Sequence, residues 1–378
     1  MPDSNTTTLR STPFDSFHKE RGAKLVDFTG WSMPLHYGSI IAEHEQVRTS
    51  GGLFDVSHMG RLAFSGRDAR AFLDRICTRQ ILGMADGQAR YSLICNERGG
   101  CRDDVLVYKL ADARYLMVCN AANRTKLLEH FDEVRGSMVF DLKDQTEGTA
   151  MIALQGPKVM DLLSDFSNSI PALKRYRFLE KNLLVAKILI SRTGYTGEDG
   201  VEVILPAALA KQAIGMMLKN VDLDSDTAVV KPAGLGARDS LRLEAGMALY
   251  GHEITEDIDP VSAGLGFAMK LTKGDDDAAA GRFIGQDALQ AIAADGPARR
   301  LVGLRLEGRR SARQDMNVMH GTTVVGTVTS GCASPTLGYC IAMAYVDSAL
   351  AEPGNAVEVD LGRTTTPATV VALPFYKC

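Results

Sequence analysis

A glycine-rich segment, Arg192-Thr-Gly-Tyr-Thr-Gly-Glu-Asp-Gly-Val-Glu202, joins two candidate strands through a Glu-Asp-Gly turn. Alternation along the second strand puts Glu202 on the face opposite Val201 and Val203. A carboxylate held on a strand can accept two parallel N–H bonds from the edge of a planar ring, as in pterin and guanine sites. An ordinary exposed glutamate is the alternative, because most glutamates lie at the protein surface.

A second acidic group follows the glycine turn in Asn96-Glu-Arg-Gly-Gly-Cys-Arg-Asp-Asp104, at the start of a candidate strand. Neighbouring side chains of a strand point to opposite faces, so only Asp103 or Asp104 can face a site while the other caps the turn. A buried acid beside a reacting amine would stabilise a developing cation. A purely structural role for both acids stays open.

Arg238 lies in Gly234-Leu-Gly-Ala-Arg-Asp-Ser-Leu-Arg-Leu-Glu-Ala-Gly246, which is typical of a loop that runs into a helix. The positive end of a helix disfavours a cation, so an arginine there indicates a ligand or a carboxylate partner, with a surface salt bridge as the alternative. Four tyrosines could stack on an aromatic cofactor or simply fill the core: Tyr91, Tyr176, Tyr195 and Tyr376.

Composition excludes several other classes of protein. The 378 residues are 45% hydrophobic and 23% charged, and the formal net charge of −4 predicts neither nucleic-acid binding nor binding to an anionic membrane. No Cys-x-x-Cys pair occurs among seven cysteines, so neither a zinc site nor a disulfide framework is expected. Residues 1–13 lack the pattern of a signal peptide, and no apolar run approaches the roughly 20 residues of a membrane span. We therefore expect a cytoplasmic protein without a metal.

Irregularly interleaved helices and strands in the first two-thirds predict an α+β fold rather than regular βαβ winding. The expected helices lie at residues 67–77, where Ala69, Phe72, Leu73 and Ile76 form one apolar stripe, and at residues 39–50 before Gly51-Gly52. Expected strands cover residues 61–64, 104–109, 115–119, 183–191 and 201–205.

The composition changes at residues 272–281, Thr-Lys-Gly-Asp-Asp-Asp-Ala-Ala-Ala-Gly, which predict an exposed connector and a domain boundary. After a short helix at residues 286–294, strands are expected at residues 301–306, 323–329, 341–346, 357–359 and 369–373. Short strands at this spacing are typical of a small antiparallel barrel or sandwich. We accordingly expect one region over residues 1–275, built of two interleaved α+β domains, and a C-terminal β-barrel domain over residues 295–378.

Several segments, in this order, make the sequence resemble the aminomethyltransferase (glycine cleavage T-protein) family almost from end to end. They are Gly30-Trp-Ser-Met-Pro, Phe54-Asp-Val-Ser-His-Met59, Gly99-Gly-Cys-Arg-Asp-Asp104, Leu154-Gln-Gly-Pro, Gly194-Tyr-Thr-Gly-Glu-Asp-Gly-Val-Glu202, Ala237-Arg-Asp-Ser-Leu-Arg-Leu-Glu-Ala-Gly246 and Val328-Thr-Ser-Gly-Cys-Ala-Ser-Pro335. The resemblance implies a three-domain cloverleaf around a central funnel for tetrahydrofolate, with the C-terminal antiparallel barrel as the third leaf.

The resemblance also implies a role for particular residues. Asp104 would be the acid near the reacting folate nitrogen, Glu202 would bind the pterin edge, and Arg238 would contact substrate. Six further residues would line the folate pocket: Met59, Tyr91, Asn120, Tyr176, Tyr195 and Tyr376.

In the reaction that the resemblance implies, the lipoyl arm of the carrier H-protein of the glycine cleavage system delivers an aminomethyl group. Its carbon passes to tetrahydrofolate, giving 5,10-methylenetetrahydrofolate, and ammonia leaves. Other components of that system are expected partners as well. Two alternatives stay open: a folate-dependent demethylase of the same fold, and a folate-binding accessory protein without transfer activity.

Overall fold

The computed structural model describes residues 8–183, 186–217, 222–223 and 225–378. Within these ranges the chain forms two compact units. The first draws on the described residues among 1–59, 145–194 and 198–239, and the second on residues 60–144, 195–197 and 240–378. Helices and strands are interleaved in both units, which confirms the predicted α+β class.

The N-terminal segment contains a small sheet and two helices. Its elements are β1 (Arg10–Ser11), α1 (Asp15–Glu20), β2 (Lys24–Phe28), β3 (Trp31–His36), α2 (Ile40–Thr49) and β4 (Gly52–Asp55). β3 lies between β1, to which it is parallel, and β2, to which it is antiparallel. The Ser39 side chain accepts a hydrogen bond from the Ala42 N–H and so begins α2 where the sequence predicts it.

The next segment forms a five-stranded sheet covered by helices, all in the second unit. Its elements are β5 (Gly60–Ser65), α3 (Ala69–Ile76), β6 (Gln88–Cys95), β7 (Cys101–Ala111), β8 (Arg114–Cys119), α4 (Arg124–Val134) and β9 (Asp141–Asp144). The strand order is β6-β7-β8-β5-β9. Helix α3 buries the predicted apolar stripe in the core beneath this sheet.

The middle of the chain builds a six-stranded sheet in the order β11-β12-β13-β10-β4-β14. Its elements are β10 (Thr149–Gln155), α5 (Val159–Phe166), β11 (Phe178–Leu183), β12 (Ala186–Ser191), β13 (Gly200–Pro206), α6 (Ala210–Met217), β14 (Lys231–Pro232) and α7 (Leu235–Glu244). The sequence predicts a single strand at residues 183–191. Residue 183 is instead the last residue of β11, and residues 186–191 form β12, while residues 184–185 lie outside the described ranges. One face of this sheet holds the core of the first unit.

The C-terminal segment closes into a six-stranded barrel, in the order β15-β18-β17-β16-β19-β20. A helix, α8 (Gln286–Asp295), precedes β15 (Arg299–Leu306), β16 (Asn317–His320), β17 (Thr323–Ala333), β18 (Cys340–Asp347), β19 (Ala356–Asp360) and β20 (Thr365–Val371). All the pairings are antiparallel, and the interior is filled mainly by valine, leucine and alanine. The barrel is confirmed, although β16 was not predicted.

The predicted exposed connector at residues 272–281 forms no helix or strand, but it is not exposed throughout. Lys273 is fully buried, and its ammonium donates to the backbone carbonyls of Asp74, Cys77 and Arg79. It also lies 3.3 Å from the Asp74 carboxylate. A buried ammonium needs such partners to offset its desolvation, and the burial of Lys273 could not be predicted from composition alone.

No helix in the described ranges has the length and apolar character that crossing a bilayer requires.

Candidate active site

The two adjacent acids enter the second unit on the hairpin formed by β6 and β7. The turn of this hairpin is closed by the Asn96 side chain, whose Oδ1 accepts hydrogen bonds from the backbone N–H groups of Arg98 and Gly100. Gly100 must be glycine, because a Cβ there would lie 1.8 Å from the Glu256 carbonyl oxygen. The prediction that an aspartate caps this turn is therefore wrong, since Asn96 does so.

Asp103 and Asp104 are joined through one amide group. The Asn120 Nδ2 lies 2.8 Å from Asp103 Oδ1 and 2.7 Å from Asp104 Oδ1, so both carboxylates accept from it. Asp103 also accepts from the Asn120 backbone N–H at 3.1 Å and from Asn123 Nδ2 at 2.6 Å. As the alternation along β7 predicts, the two acids differ in burial: Asp103 is fully buried and Asp104 is partly exposed. Asn120, which follows β8, nevertheless reaches both.

Burial raises the pKa of both carboxyl groups. The pKa of Asp103 rises to about 8, through loss of solvation and then through repulsion from Asp104, against the lowering effect of the asparagine donors. Loss of solvation likewise raises the pKa of Asp104. Two carboxylates this close titrate as a pair, so the extra proton belongs to the pair rather than to one residue. Asp103 and Asp104 therefore form a site that can retain one proton at neutral pH.

Tyr91 completes this arrangement from β6. Its hydroxyl donates to Asp104 Oδ2 at 3.1 Å, while Asn120 holds the other oxygen, so the carboxylate is fixed at both ends. Burial, followed by the Asp104 charge, raises the pKa of Tyr91 well above its usual value, which keeps the hydroxyl a neutral donor. The Tyr91 ring stacks on Phe267, with ring centroids 5.9 Å apart. Tyr195, which adds to the rise in the Tyr91 pKa, donates its hydroxyl to the Ala248 carbonyl.

Glu202 forms a separate buried carboxylate site in the first unit. It lies on β13 opposite Ala153 of β10, on the sheet face away from the buried Val201 and Val203, as predicted. The side chain is only 4% exposed, so the exposed-glutamate alternative is wrong. The Thr193 hydroxyl donates to Glu202 Oε2 at 2.6 Å, and Ser191 lies 2.8 Å from the Thr193 oxygen.

Two opposing effects set the ionisation of Glu202. Burial has the larger effect and raises the pKa of this carboxyl group, against the lowering effects of the Thr193 hydrogen bond and of the positive charge of Arg238. Arg238 lies in the first turn of α7, half-buried, where the sequence predicts it. The positive charge of Arg238 therefore favours the ionised form of a buried carboxylate, and contact of Arg238 with a ligand stays a prediction.

Glycines in the loop before Glu202 allow the close approach of Gln155. A Cβ at Gly194 would lie 1.9 Å from Gln155 Oε1, and one at Gly200 would lie 2.2 Å from the Leu154 carbonyl oxygen. Gln155 Nε2 in turn donates to the Thr193 carbonyl at 3.1 Å. This packing fixes the backbone at Thr193 and so the hydroxyl that contacts Glu202.

Three predicted site residues remain, Met59, Tyr176 and Tyr376, and they differ in burial and in backbone conformation. Met59 is half-buried at the end of the N-terminal segment, where its N–H donates to the Val56 carbonyl. Tyr176 has a left-handed backbone, with φ of +58°, and its side chain is 47% exposed. Tyr376 is half-buried in the second unit, and its backbone N–H donates to the Glu244 carbonyl at 2.8 Å.

The structure thus brings five of the nine predicted site residues into two sets. Asp104 contacts both Asn120 and Tyr91 in the second unit, and the charge of Arg238 acts on Glu202 in the first. Two contributors, Asn123 and Thr193, were not singled out from the sequence. The spacing of Asn120 and Asn123 after a strand is a signal that could have identified Asn123, and Thr193 lies within the glycine-rich segment already chosen. Among the described residues, no group of three or more His, Cys, Asp or Glu side chains is arranged to hold a metal ion.

Comparison with known families places this fold and these sites in context. Residues 14–273 match the model of the GCVT N-terminal domain, and residues 299–377 match that of the glycine cleavage T-protein C-terminal barrel domain. The chain therefore belongs to the glycine cleavage T-protein family.

Named relatives span the full length of the chain. An aminomethyltransferase of Rubrobacter xylanophilus is 46% identical over 98% of this chain and 95% of its own. An aminomethyltransferase of Bacillus subtilis is 40% identical over 98% of this chain and 99% of its own. The crystal structure of glycine cleavage system aminomethyltransferase T from Bartonella henselae is 33% identical, covers 98% of both chains and superimposes with a TM-score of 0.89. All three of these relatives are named aminomethyltransferases.

Proposed function

We propose that this chain is the aminomethyltransferase of a glycine cleavage system, with tetrahydrofolate as the acceptor of the one-carbon unit. The full-length similarity to named aminomethyltransferases supports the reaction class. In this reaction the C–S and C–N bonds of a sulfur-bound aminomethyl group break and two C–N bonds to the acceptor form. The two acceptor N–H protons pass to the sulfur, which leaves as a thiol, and to the amine, which leaves as ammonia. In this reaction the protein orients the reactants, excludes water and stabilises charge, and it does not need to supply a covalent nucleophile.

The observation that carries the proposal is the amide-bridged pair of Asp103 and Asp104. Asp104 is held at one oxygen by Asn120 and at the other by Tyr91, so its carboxylate has a fixed orientation. We assign Asp104 the role of stabilising positive charge at the reacting nitrogen, which is strongest for a preorganised carboxylate in a poorly solvated place. Asp103, which accepts three N–H bonds, holds Asn120 and thereby positions Asp104.

Glu202 suits the ring edge of tetrahydrofolate. A carboxylate has about four acceptor positions, and the Thr193 hydroxyl occupies one of them, so capacity for two parallel N–H donors remains. Because the carboxylate is almost fully buried, bonds made to it by a ligand would be poorly screened by water. We assign Glu202 to the pterin edge and Arg238 to contact with the substrate.

The other assigned residues would complete the folate pocket. Met59, Tyr176, Tyr195 and Tyr376 are proposed to line it together with Tyr91 and Asn120. We also propose a division of the chain into a folate-binding region over residues 1–275 and a barrel domain over residues 295–378, and a lipoyl carrier H-protein as the partner that delivers the aminomethyl group.

A reconstitution experiment tests the function directly. Purified protein, tetrahydrofolate and an aminomethyl-loaded lipoyl carrier are mixed, and ammonia and methylenetetrahydrofolate are measured. We expect both products only when all three components are present. Omission of each component in turn is the control.

The same experiment separates the alternatives. Transfer from a free methylated amine or sulfur compound, without the carrier, would indicate a demethylase instead. Tight folate binding without any product from either donor would indicate a folate-binding accessory protein. Either result would contradict the proposed function.

A further inference from the structure

A cavity of about 230 Å³ opens in the first unit between α1, α6 and one face of the six-stranded sheet. We call it the α1–α6 cavity. Its walls are mainly apolar, with the rings of Phe14 and Phe17 on one side and Leu53 and Ile152 of the sheet on another. Large apolar pockets with a few polar groups are the usual binding sites for small molecules.

The cavity lies on the opposite face of the sheet from Glu202. Ile152 pairs with Asp55 and with Val203, and Ala153, the next residue along β10, pairs with Glu202. Cross-strand partners share a face and successive residues alternate, so the cavity-lining Ile152 and Asp55 point away from the Glu202 face. A ligand in the α1–α6 cavity would therefore not occupy the Glu202 site.

Gly215 leaves one wall of the cavity open. It lies inside α6, where glycine is about 1 kcal/mol less favourable than alanine. A Cβ at this position would meet no described atom within 4 Å outside the helix itself. A side chain added at this position would therefore start in open space beside the cavity that Gly215 lines.

His18, Tyr37 and Asp55 line the cavity and belong to one chain of hydrogen-bonded polar groups. Asp55 accepts from the Thr12 hydroxyl at 2.6 Å and from the Ser57 N–H at 2.8 Å, and His18 Nε2 lies 2.9 Å from the same carboxylate. The Tyr37 hydroxyl lies 2.7 Å from His18 Nδ1. In a neutral His18 ring the proton lies on Nε2 and is donated to Asp55, and Nδ1 accepts from the Tyr37 hydroxyl. The Tyr37 hydroxyl oxygen can then still accept a hydrogen bond from a ligand in the cavity.

The size and lining of the cavity select the class of ligand. An apolar cavity of about 150 Å³ in another protein binds benzene, so a cavity about half as large again accommodates one or two rings. Phe14 and Phe17 offer ring faces and edges for aromatic contacts. We propose that the α1–α6 cavity binds a small one- or two-ring aromatic molecule whose N–H or O–H group donates to the Tyr37 hydroxyl oxygen.

Indole and benzofuran test this proposal, because the two molecules have nearly the same shape and only indole has an N–H donor. Each is titrated into the full-length protein without folate or carrier, and binding is measured by calorimetry and ligand-observed NMR. We expect saturable indole binding with a Kd on the order of 0.1–1 mM. Benzofuran should bind about tenfold more weakly, because one buried hydrogen bond is lost.

Variants locate the binding. Gly215→Phe should abolish indole binding by filling the cavity, whereas Gln212→Phe introduces the same ring at an exposed position of the same helix and should leave binding unchanged. Tyr37→Phe should make the affinities for indole and benzofuran equal. Thermal unfolding of each variant shows that it is folded.

The proposal is overturned if indole does not bind saturably, if benzofuran binds as tightly as indole to the unaltered protein, or if Gly215→Phe and Gln212→Phe bind indole alike. None of these measurements involves aminomethyl transfer, so they leave the proposed function untouched. Conversely, loss of the proposed function in reconstitution would not change the expected indole binding.

Discussion

Two buried carboxylate sites in this molecule are built differently. In the second unit, Asp103 and Asp104 share one asparagine amide and no cation takes part in the hydrogen bonds that hold them. In the first unit, Glu202 stands alone with a threonine donor and the positive charge of Arg238. The paired acids are therefore arranged to retain a proton, whereas the single acid, whose pKa burial also raises, has a positive charge nearby that favours its ionised form. This difference suits a pair that acts on charge at a reacting centre and a single acid that binds a ligand.

The largest effect should come from Asp104→Ala. Removal of the preorganised carboxylate should lower kcat by about 10²–10³, with little change in tetrahydrofolate affinity, because charge stabilisation is lost only where charge develops. Steady-state ammonia release and equilibrium folate binding measure the two effects. Asp141→Ala, at an exposed position of the same sheet, is the control. A near-normal rate would remove Asp104 from the mechanism.

Glu202→Ala should have the opposite pattern. We expect tetrahydrofolate to bind about 10–100-fold more weakly, because one or two charge-assisted hydrogen bonds are lost, while kcat at saturation changes much less. Fluorescence or calorimetric titration gives the dissociation constant. Glu180→Ala, on β11 of the same sheet, is the matched control. An unchanged dissociation constant would contradict the assignment of Glu202 to the pterin edge.

The pH dependence of stability should distinguish the paired acids from the single one. The native pair keeps a proton that the unfolded chain releases above about pH 4, so the free energy of unfolding should fall as pH rises from about 4 to about 8. Asp103→Asn should flatten this slope, even if it lowers stability by placing an amide group against the Asn120 N–H. Urea unfolding at several pH values measures the slope.

Asp112→Asn is the control for that experiment, since Asp112 is exposed in the turn after β7 and should leave the slope unchanged. If Asp103→Asn and the unaltered protein keep the same slope, the buried pair does not hold the extra proton.

The smallest effect should follow Tyr91→Phe. It removes one hydrogen bond of 3.1 Å to Asp104 and keeps the ring stacked on Phe267, so kcat should fall only about 3–10-fold. Tyr339→Phe, on the barrel, should leave kcat unchanged. A loss as large as that of Asp104→Ala would mean that Tyr91 does more than orient the carboxylate.

Much of this arrangement follows from sequence patterns with a local physical cause. The apolar stripe of α3, the helix expected from Ser39 and the alternation that places Glu202 on the face opposite Val201 are all local signals, and all are confirmed. The glycine-rich segment before Glu202 likewise indicated a constrained loop. These features depend on residues a few positions apart.

Other features depend on contacts between distant parts of the chain and could not be predicted. Asn120 reaches both acids because β8 lies beside β7, and the alternation rule alone assigned the acids to separate surroundings. Lys273 lies in a polar, alanine-rich stretch and is nevertheless buried by carbonyl groups about 200 residues earlier. At both places, contacts between distant parts of the chain override the prediction from local sequence.

The closed C-terminal barrel limits how other proteins can recognise this part of the chain. Every one of its six strands has a hydrogen-bonded neighbour on each side, so the cylinder has no edge strand whose backbone could extend into a second molecule. A protein that associates with the barrel must therefore bind to its side chains and loops. The same closure protects the strands against edge-to-edge aggregation when the protein is concentrated.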